Sequence, residues 1–208
     1  MDEQHSPARS ITRLTDPRAL RAYAHPVRMA LVGLLRTEGP LTATRAAEIL
    51  GESSGTCSFH LRQLAKYGVV EEAGGGTGRE KPWRATALFT DVPATAESPE
   101  GAAAAGLVFS VLAESYFDRL MNWLEVRGQE PQEWQEAAIF GDRILYLTPD
   151  ELAGLDARIG ELLDAYTERL TAPQRRPEGS RQVTYVQFAF PRQRRASGNA
   201  AGDGGGAG

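Results

Sequence analysis

Most of this chain has the apolar periodicity of α-helices, and short parts have that of paired strands. Apolar residues recur every three or four positions through Leu31, Leu34 and Leu35. A shorter helix is predicted from Thr44 to Leu50. The residues of this helix that are expected to pack inward on the domain core are Ala46, Ala47, Ile49 and Leu50. Gly51 adopts positive φ at little cost, so we expect the helix to end there.

A second short helix is predicted directly after this break, over residues 53–67. Ser53 is a preferred N-cap residue, and Gly68 follows the last turn. One face is expected to pack on the domain core, through Cys57, His60, Leu61, Leu64 and Tyr67. The opposite face and its flanks carry small, hydroxylated, aromatic and basic side chains, namely Ser54, Gly55, Thr56, Ser58, Phe59, Arg62, Gln63 and Lys66. This pattern is typical of a helix-turn-helix, whose second helix enters the major groove of DNA.

Two short strands with a glycine-rich connection are predicted after the second helix. The segments 69–72 and 82–86 have strand composition, and four glycines lie in the connection 73–82. Arg79 and Lys81 make this connection basic. A hairpin of this kind is a wing, which follows the minor groove or the phosphate backbone. A plain hairpin is the alternative, but the two basic side chains favour contact with DNA.

From about Thr15 to Ala87 the chain resembles the winged helix-turn-helix domain of ArsR-type bacterial transcription regulators. The sequences AHPVR at 24–28 and SFHLRQL at 58–64 carry the resemblance, in the order and spacing of that family. The resemblance implies a dimeric protein, and a repressor that blocks transcription at its own or a neighbouring promoter. It also fits a branch of the family with a C-terminal extension.

Metal sensing, which occurs in many proteins of this type, is not expected here. The chain has one cysteine and three histidines, at Cys57, His5, His25 and His60. One thiol and scattered imidazoles cannot form a four-ligand soft-metal site within a subunit. Cys57, His25 and His60 are therefore interpreted as packing residues, with no metal and no cofactor. A single cysteine also excludes an internal disulfide, which fits a reducing cytoplasm.

The net charge of −4 is divided unequally along the chain. Residues 1–90 hold 12 Lys and Arg against 9 Asp and Glu, whereas residues 91–208 hold 11 against 18. The basic excess coincides with the predicted DNA reader, and the acidic part is expected to face away from phosphate. The sequence has no apolar leader and no apolar run long enough to cross a membrane, so we expect a cytoplasmic protein.

Residues 91–101 are predicted to be a linker, followed by a second unit over 102–191. A long helix over 102–127 has an apolar stripe formed by Val108, Phe109, Leu112, Tyr116, Leu120, Trp123 and Leu124. Flanking helices form the dimer interface in the resembled family, so this helix and the one containing Leu20 are candidates. A purely intramolecular core helix is the alternative. A two-fold dimer would read an inverted repeat in double-stranded DNA.

The rest of the second unit is predicted as a small α+β fold. A short helix over 131–140 precedes strands at 142–147 and 181–190, which flank a helix opened by a capping box at Thr148 and running to about Leu170. Aromatic residues gather here, and a candidate pocket for a small-molecule effector is formed by Tyr116, Trp123, Trp134, Tyr146 and Tyr185. A hydrophobic core is the alternative. Residues 1–14 and 192–208 are predicted to be a flexible arm and a disordered tail.

The sequence thus predicts a mainly α protein with small β parts: a winged helix-turn-helix over 15–90, a long dimerisation helix and a C-terminal α+β unit. The favoured function is a dimeric, sequence-specific DNA-binding transcription regulator. A winged-helix module that binds protein without specific DNA binding is the alternative. An enzyme is not expected, because the chain lacks a Ser/His/Asp set, a metal cluster and a phosphate-binding loop after a strand.

Overall fold

The computed structural model describes residues 10–74, 81–93, 95 and 97–192. The α-helices in these residues are α1 (Pro17–Tyr23), α2 (Pro26–Thr37), α3 (Ala43–Leu50), α4 (Ser54–Ala65), α5 (Pro99–Val126), α6 (Gln132–Ala137) and α7 (Pro149–Thr171). The strands are β1 (Ile11–Arg13), β2 (Val70–Glu72), β3 (Trp83–Ala85) and β4 (Phe89–Asp91). Short 3-10 helices lie at 127–129 and 173–175. The protein is mainly α with small β parts, as predicted.

Helices α1 to α4, with β2 and β3, enclose one apolar core. Its fully buried side chains include Leu31 and Val32 of α2 and Leu61 and Leu64 of α4. Strands β2 and β3 are antiparallel, and Leu41 forms an additional bridge with Trp83. This order of helices followed by a hairpin is the winged helix-turn-helix, and both predicted strands of the hairpin are present.

Polar caps fix where the helices begin. The backbone N–H groups of Arg18, Arg45 and Thr56 donate to the side chains of Asp16, Thr42 and Ser53 at 2.9, 3.2 and 3.0 Å. Each cap satisfies an N–H group that the first helical turn leaves without a partner. At the other end of α3, Gly51 has a φ of 70°, the left-handed conformation that the sequence predicted.

The structure corrects the predicted inward face of α3 at one residue. Ile49 was expected to face the core, but its exposed fraction is 43%. Ala46 and Ala47 are the buried residues of this helix. Small side chains at the contact let two helices approach closely, so α3 packs on α4 through a narrow face that does not include Ile49.

The N-terminal part of the domain also differs from the expected flexible arm. Residues 11–13 form β1, which pairs in parallel with β4, with Ile11 opposite Phe89. A parallel pair needs a long connection between its strands, so no local pattern in the sequence signals it. The predicted linker is correspondingly shorter, because β4 ends at Asp91 and Ser98 already caps α5.

The long helix α5 packs on the domain only through its first turns. Ala104, Ala105 and Val108 are buried with Leu20 in the core, and Arg21 forms an ion pair with Glu100 at 2.8 Å. The predicted apolar stripe is therefore intramolecular at its start. Further along, large apolar side chains of α5 are exposed: Phe109, Phe117, Met121, Leu124 and Val126.

The C-terminal region contains the predicted helix but not the predicted sheet. Helix α7 begins at the expected capping box, in which Thr148 and Glu151 each accept the other's backbone N–H. Residues 142–147 and 181–190 are irregular and unpaired, so the prediction of strands there is wrong for the chain as described. Alternating apolar residues indicate a strand-compatible segment without specifying its partner. Among the described residues, no helix is long and apolar enough to cross a membrane.

Candidate nucleic-acid interface

The two faces of α4 have opposite environments. Cys57, His60, Leu61 and Leu64 are buried on the domain core, as the sequence predicted. The opposite side carries the exposed residues Ser54, Gly55, Phe59, Arg62 and Lys66, with Ser58, Thr56 and Gln63 half-buried. The helix is therefore held by one face, and its other face is exposed to solvent.

The basic residues of this face differ from their neighbours in having no partner. Arg62 and Lys66 make no ion pair and no side-chain hydrogen bond within the described residues. In contrast, Arg45 on α3 is paired with Glu48 at 2.7 Å. Unpaired cations can contact phosphate or a guanine edge without first breaking an internal contact.

The N-terminus of α4 is favourable for a nearby anion. Its first turn has no acidic residue, so the positive end of the helix dipole is not neutralised there. Ser53 Oγ lies 2.8 Å from Thr56 Oγ1. Ser54 Oγ lies 3.3 Å from Thr44 Oγ1. These contacts hold the small hydroxyl side chains in place at the start of the exposed face.

Thr44 was not among the residues that the sequence assigned to the interface. Its side chain is exposed and meets Ser54 of α4, so the beginnings of α3 and α4 share one surface. The sequence could have indicated this role for Thr44, because Thr44 lies at the start of the first helix of the motif. In helix-turn-helix proteins that helix crosses the DNA backbone.

The wing is described in part. Its base holds two cross-strand ion pairs, Lys81 to Glu72 and Arg84 to Glu71, each at 2.7 Å. Lys81 is exposed, as a phosphate contact requires, but it already has an acidic partner in the free protein. Arg79, the other predicted wing contact, lies outside the described residues.

Two histidine rings, one of them on the buried face of α4, lie against each other. The rings of His25 and His60 lie 4.5 Å apart between centroids. Their Nδ1 atoms and the Nε of Arg28 are buried without a hydrogen-bond partner among the described residues. Burial lowers the pKa of both imidazoles, and the nearby Arg28 guanidinium lowers each pKa further. Burial therefore favours the neutral form of both rings.

The thiol of the chain lies in the same core. Cys57 is free and fully buried, and burial raises its pKa above the ordinary value. A thiol in this form is a poor nucleophile and a poor ligand. Among the described residues, no three His, Cys, Asp or Glu side chains are grouped so that they could hold a metal ion.

The five aromatic residues of the candidate effector pocket lie in different environments. Tyr116, Trp123 and Trp134 are half-buried, whereas Tyr185 is exposed and Tyr146 is fully exposed. The Tyr116 ring lies 6.1 Å from the ring of Phe188. An effector pocket formed by these residues stays a prediction.

A cavity of about 550 Å³ lies elsewhere, between the end of α2, the connection from β3 to β4 and the end of α7. Its lining includes Arg36, Arg84, Leu170 and Arg176. Arg36 is held in place by bonds from Nε to the Ala87 carbonyl at 2.9 Å and from Nη2 to Thr90 Oγ1 at 2.7 Å. The cavity is thus close to the base of the wing.

One family model matches the part of the chain that contains this geometry. The family model described as "Helix-turn-helix domain" matches residues 23–73, from the end of α1 to just beyond β2. A solved structure of a MarR family regulator from Neisseria meningitidis is similar at 18% identity and a TM-score of 0.29, covering 71% of this chain and 79% of that one. No curated protein matches the chain. The fold and the family model define a winged helix-turn-helix domain in this part of the chain.

Proposed function

We propose that the protein is a dimeric, sequence-specific DNA-binding transcription regulator of the ArsR type, and that it acts as a repressor. Helix α4 enters the major groove, and the wing over 73–82 contacts the minor groove or the backbone. The ArsR type is supported by the motifs AHPVR at 24–28 and SFHLRQL at 58–64. The bound molecule is double-stranded DNA with an inverted repeat.

One observation carries this proposal: the exposed side of α4 is polar, small and cationic, and its cations are free. Arg62 and Lys66 have no partner among the described residues, although paired cations occur nearby on α3 and β3. Arg62 has the length to reach a guanine edge or a phosphate, and Ser58 accepts or donates to either base type. The exposed Phe59 offers an apolar contact to a thymine methyl group.

The test of specificity is selection of binding sites from the genome of the source organism by the purified full-length protein. A few enriched fragments that share an inverted repeat are the expected result. Broad enrichment without a motif, or no enrichment at moderate salt, would contradict the proposal. That outcome would favour a winged-helix module that binds protein.

The test of the site is Arg62→Ala, with Arg158→Ala as the matched control. Both arginines are exposed and lie on helices, and each substitution removes one positive charge. Arg158 lies on α7, outside the proposed interface. We expect Arg62→Ala to weaken specific binding by about 1–3 kcal/mol at unchanged thermal stability. Equal affinities of the two variants would remove Arg62 from the interface.

A further inference from the structure

Two irregular segments of the C-terminal region leave their backbone groups without partners among the described residues. Residues 139–147 and 181–190 make no backbone hydrogen bond to any described residue, and every residue in them is exposed. Apolar strand formers are frequent in both segments. Free N–H and C=O groups in a segment rich in apolar strand formers are a template for pairing with another strand.

The segment 181–190 is fixed to its own subunit by side chains. Arg181 forms an ion pair with Glu130 at 2.6 Å, and its guanidinium lies 5.3 Å from the Trp134 ring centre. Gln187 donates to Asp156 of α7 at 3.1 Å. Arg181 is the only charged residue of this segment, and it is already engaged. The segment therefore offers no charge to complement residues 139–147.

The exposed apolar surface of residues 139–147 is large for so short a segment. Six of its nine side chains are apolar and between 43% and 100% exposed: Ile139, Phe140, Ile144, Leu145, Tyr146 and Leu147. A contiguous run of exposed apolar side chains is typical of a surface that pairs with another protein chain.

We propose that residues 139–147 pair in antiparallel fashion with the same residues of a second copy of this chain. The charges of the segment specify the register. Asp142 and Arg143 are adjacent, exposed and without an ion-pair partner among the described residues. A two-fold axis between these positions places Asp142 opposite Arg143 of the partner subunit, and does so twice.

This register also matches the apolar residues. It places Phe140 opposite Leu145 of the partner subunit, and Ile139 opposite the partner's Tyr146. Directly opposite residues of antiparallel strands have Cβ atoms about 4.5–5.5 Å apart, which permits these contacts. A shift of the two-fold axis by half a residue would oppose Asp142 with Asp142, or Arg143 with Arg143, and like charges in that position are unfavourable.

The inference deepens the dimer in the proposed function, because it assigns an interface beyond the helices that flank the DNA reader. Its test does not require DNA. Analytical ultracentrifugation of the full-length protein gives the dissociation constant of the dimer, and DNA binding is measured separately. If the dimer does not form through 139–147 but the protein still binds DNA specifically, only the inference fails. If the dimer forms through 139–147 but DNA is not bound, only the proposed function fails.

The variants reverse charge without changing the fold, since both side chains are exposed. Asp142→Arg alone, or Arg143→Asp alone, converts two opposite-charge pairs into two like-charge pairs. Each single change is expected to raise the dissociation constant of the dimer at least about tenfold. The double variant Asp142→Arg with Arg143→Asp restores opposite charges and is the matched control. We expect it to dimerise as the unchanged protein does.

A cross-linking measurement separates this interface from a dimer formed through α5 alone. Chains carrying Phe140→Cys are mixed with chains carrying Leu145→Cys and oxidised, and the mixed disulfide dimer is expected to predominate over either same-position dimer. Two results would overturn the inference: dissociation constants unchanged by the single charge reversals, or no preference for the mixed disulfide. Pairing of 139–147 with 181–190 within one chain would give both results.

Discussion

The single thiol of the chain gives a direct measurement of how firmly α4 is held on the core. Cys57 is 0% exposed and lies on the buried face of α4 with Leu61 and Leu64. A thiol reagent reaches it only when the helix moves away from the core. That motion exposes both leucines, and burial of one such side chain contributes about 1.5–3 kcal/mol. Opening therefore costs about 3–6 kcal/mol, which slows labelling by at least roughly a hundredfold.

The assay compares the labelling rate of the native protein by an aromatic disulfide reagent with the rate in concentrated urea, at one pH. The raised pKa of the Cys57 thiol slows the native reaction further, because the thiolate is the reacting species. Cys57→Ser is the control, because it removes the signal. It also places a hydroxyl in an apolar slot, with an expected loss of about 1–3 kcal/mol in unfolding free energy.

Fast labelling would refute this reasoning. A native rate within about tenfold of the unfolded rate, in a protein with a cooperative melting curve, corresponds to an opening free energy of only about 1.4 kcal/mol. Helix α4 would then not be packed through Cys57, Leu61 and Leu64. A redox role for the Cys57 thiol, which burial disfavours, would then be the better interpretation.

Two further predictions concern the same core. Leu61→Ala should lower the unfolding free energy by about 2–5 kcal/mol, whereas Ile49→Ala should lower it by about 1 kcal/mol or less, because only Leu61 is buried. Equal losses of the two variants in urea titrations would contradict the exposed placement of Ile49. The lowered pKa values of His25 and His60 mean that protonation favours the unfolded chain. Stability is therefore complete above the ordinary histidine pKa of about 6.5 and falls as the pH decreases through it. His60→Leu should lose less stability between pH 7.5 and 5.5 than the unchanged protein, and an identical loss in both would exclude the pair as its cause.

The DNA reader was predictable because its determinants are local. The cap at Ser53, the turn at Gly51 and the helical spacing of Cys57, Leu61 and Leu64 each act within a few residues. Pattern and local conformation agree there, which is the condition under which sequence reasoning succeeds.

The remaining features depend on distant neighbours. Lys66 and Lys81 look alike in the sequence, but only Lys81 has an acidic partner, which the β2–β3 hairpin brings next to it. Likewise, the alternation in 142–147 and 181–190 predicted strands but carries no information about which strand would pair with them.

The pairing of β1 with β4 and the packing of α1 on α5 affect the order of folding during synthesis. A chain emerging from the ribosome can complete the core of α2, α3 and α4 and the wing hairpin once residue 85 is available. Leu20 and Ile11 must wait for partners at Val108 and Phe89, about 80–90 positions later in the chain. Such distant contacts close slowly. The N-terminal segment is consequently the last part of the DNA-binding domain to be covered, so the nascent domain is exposed to aggregation and proteolysis on this side until the beginning of α5 has been made.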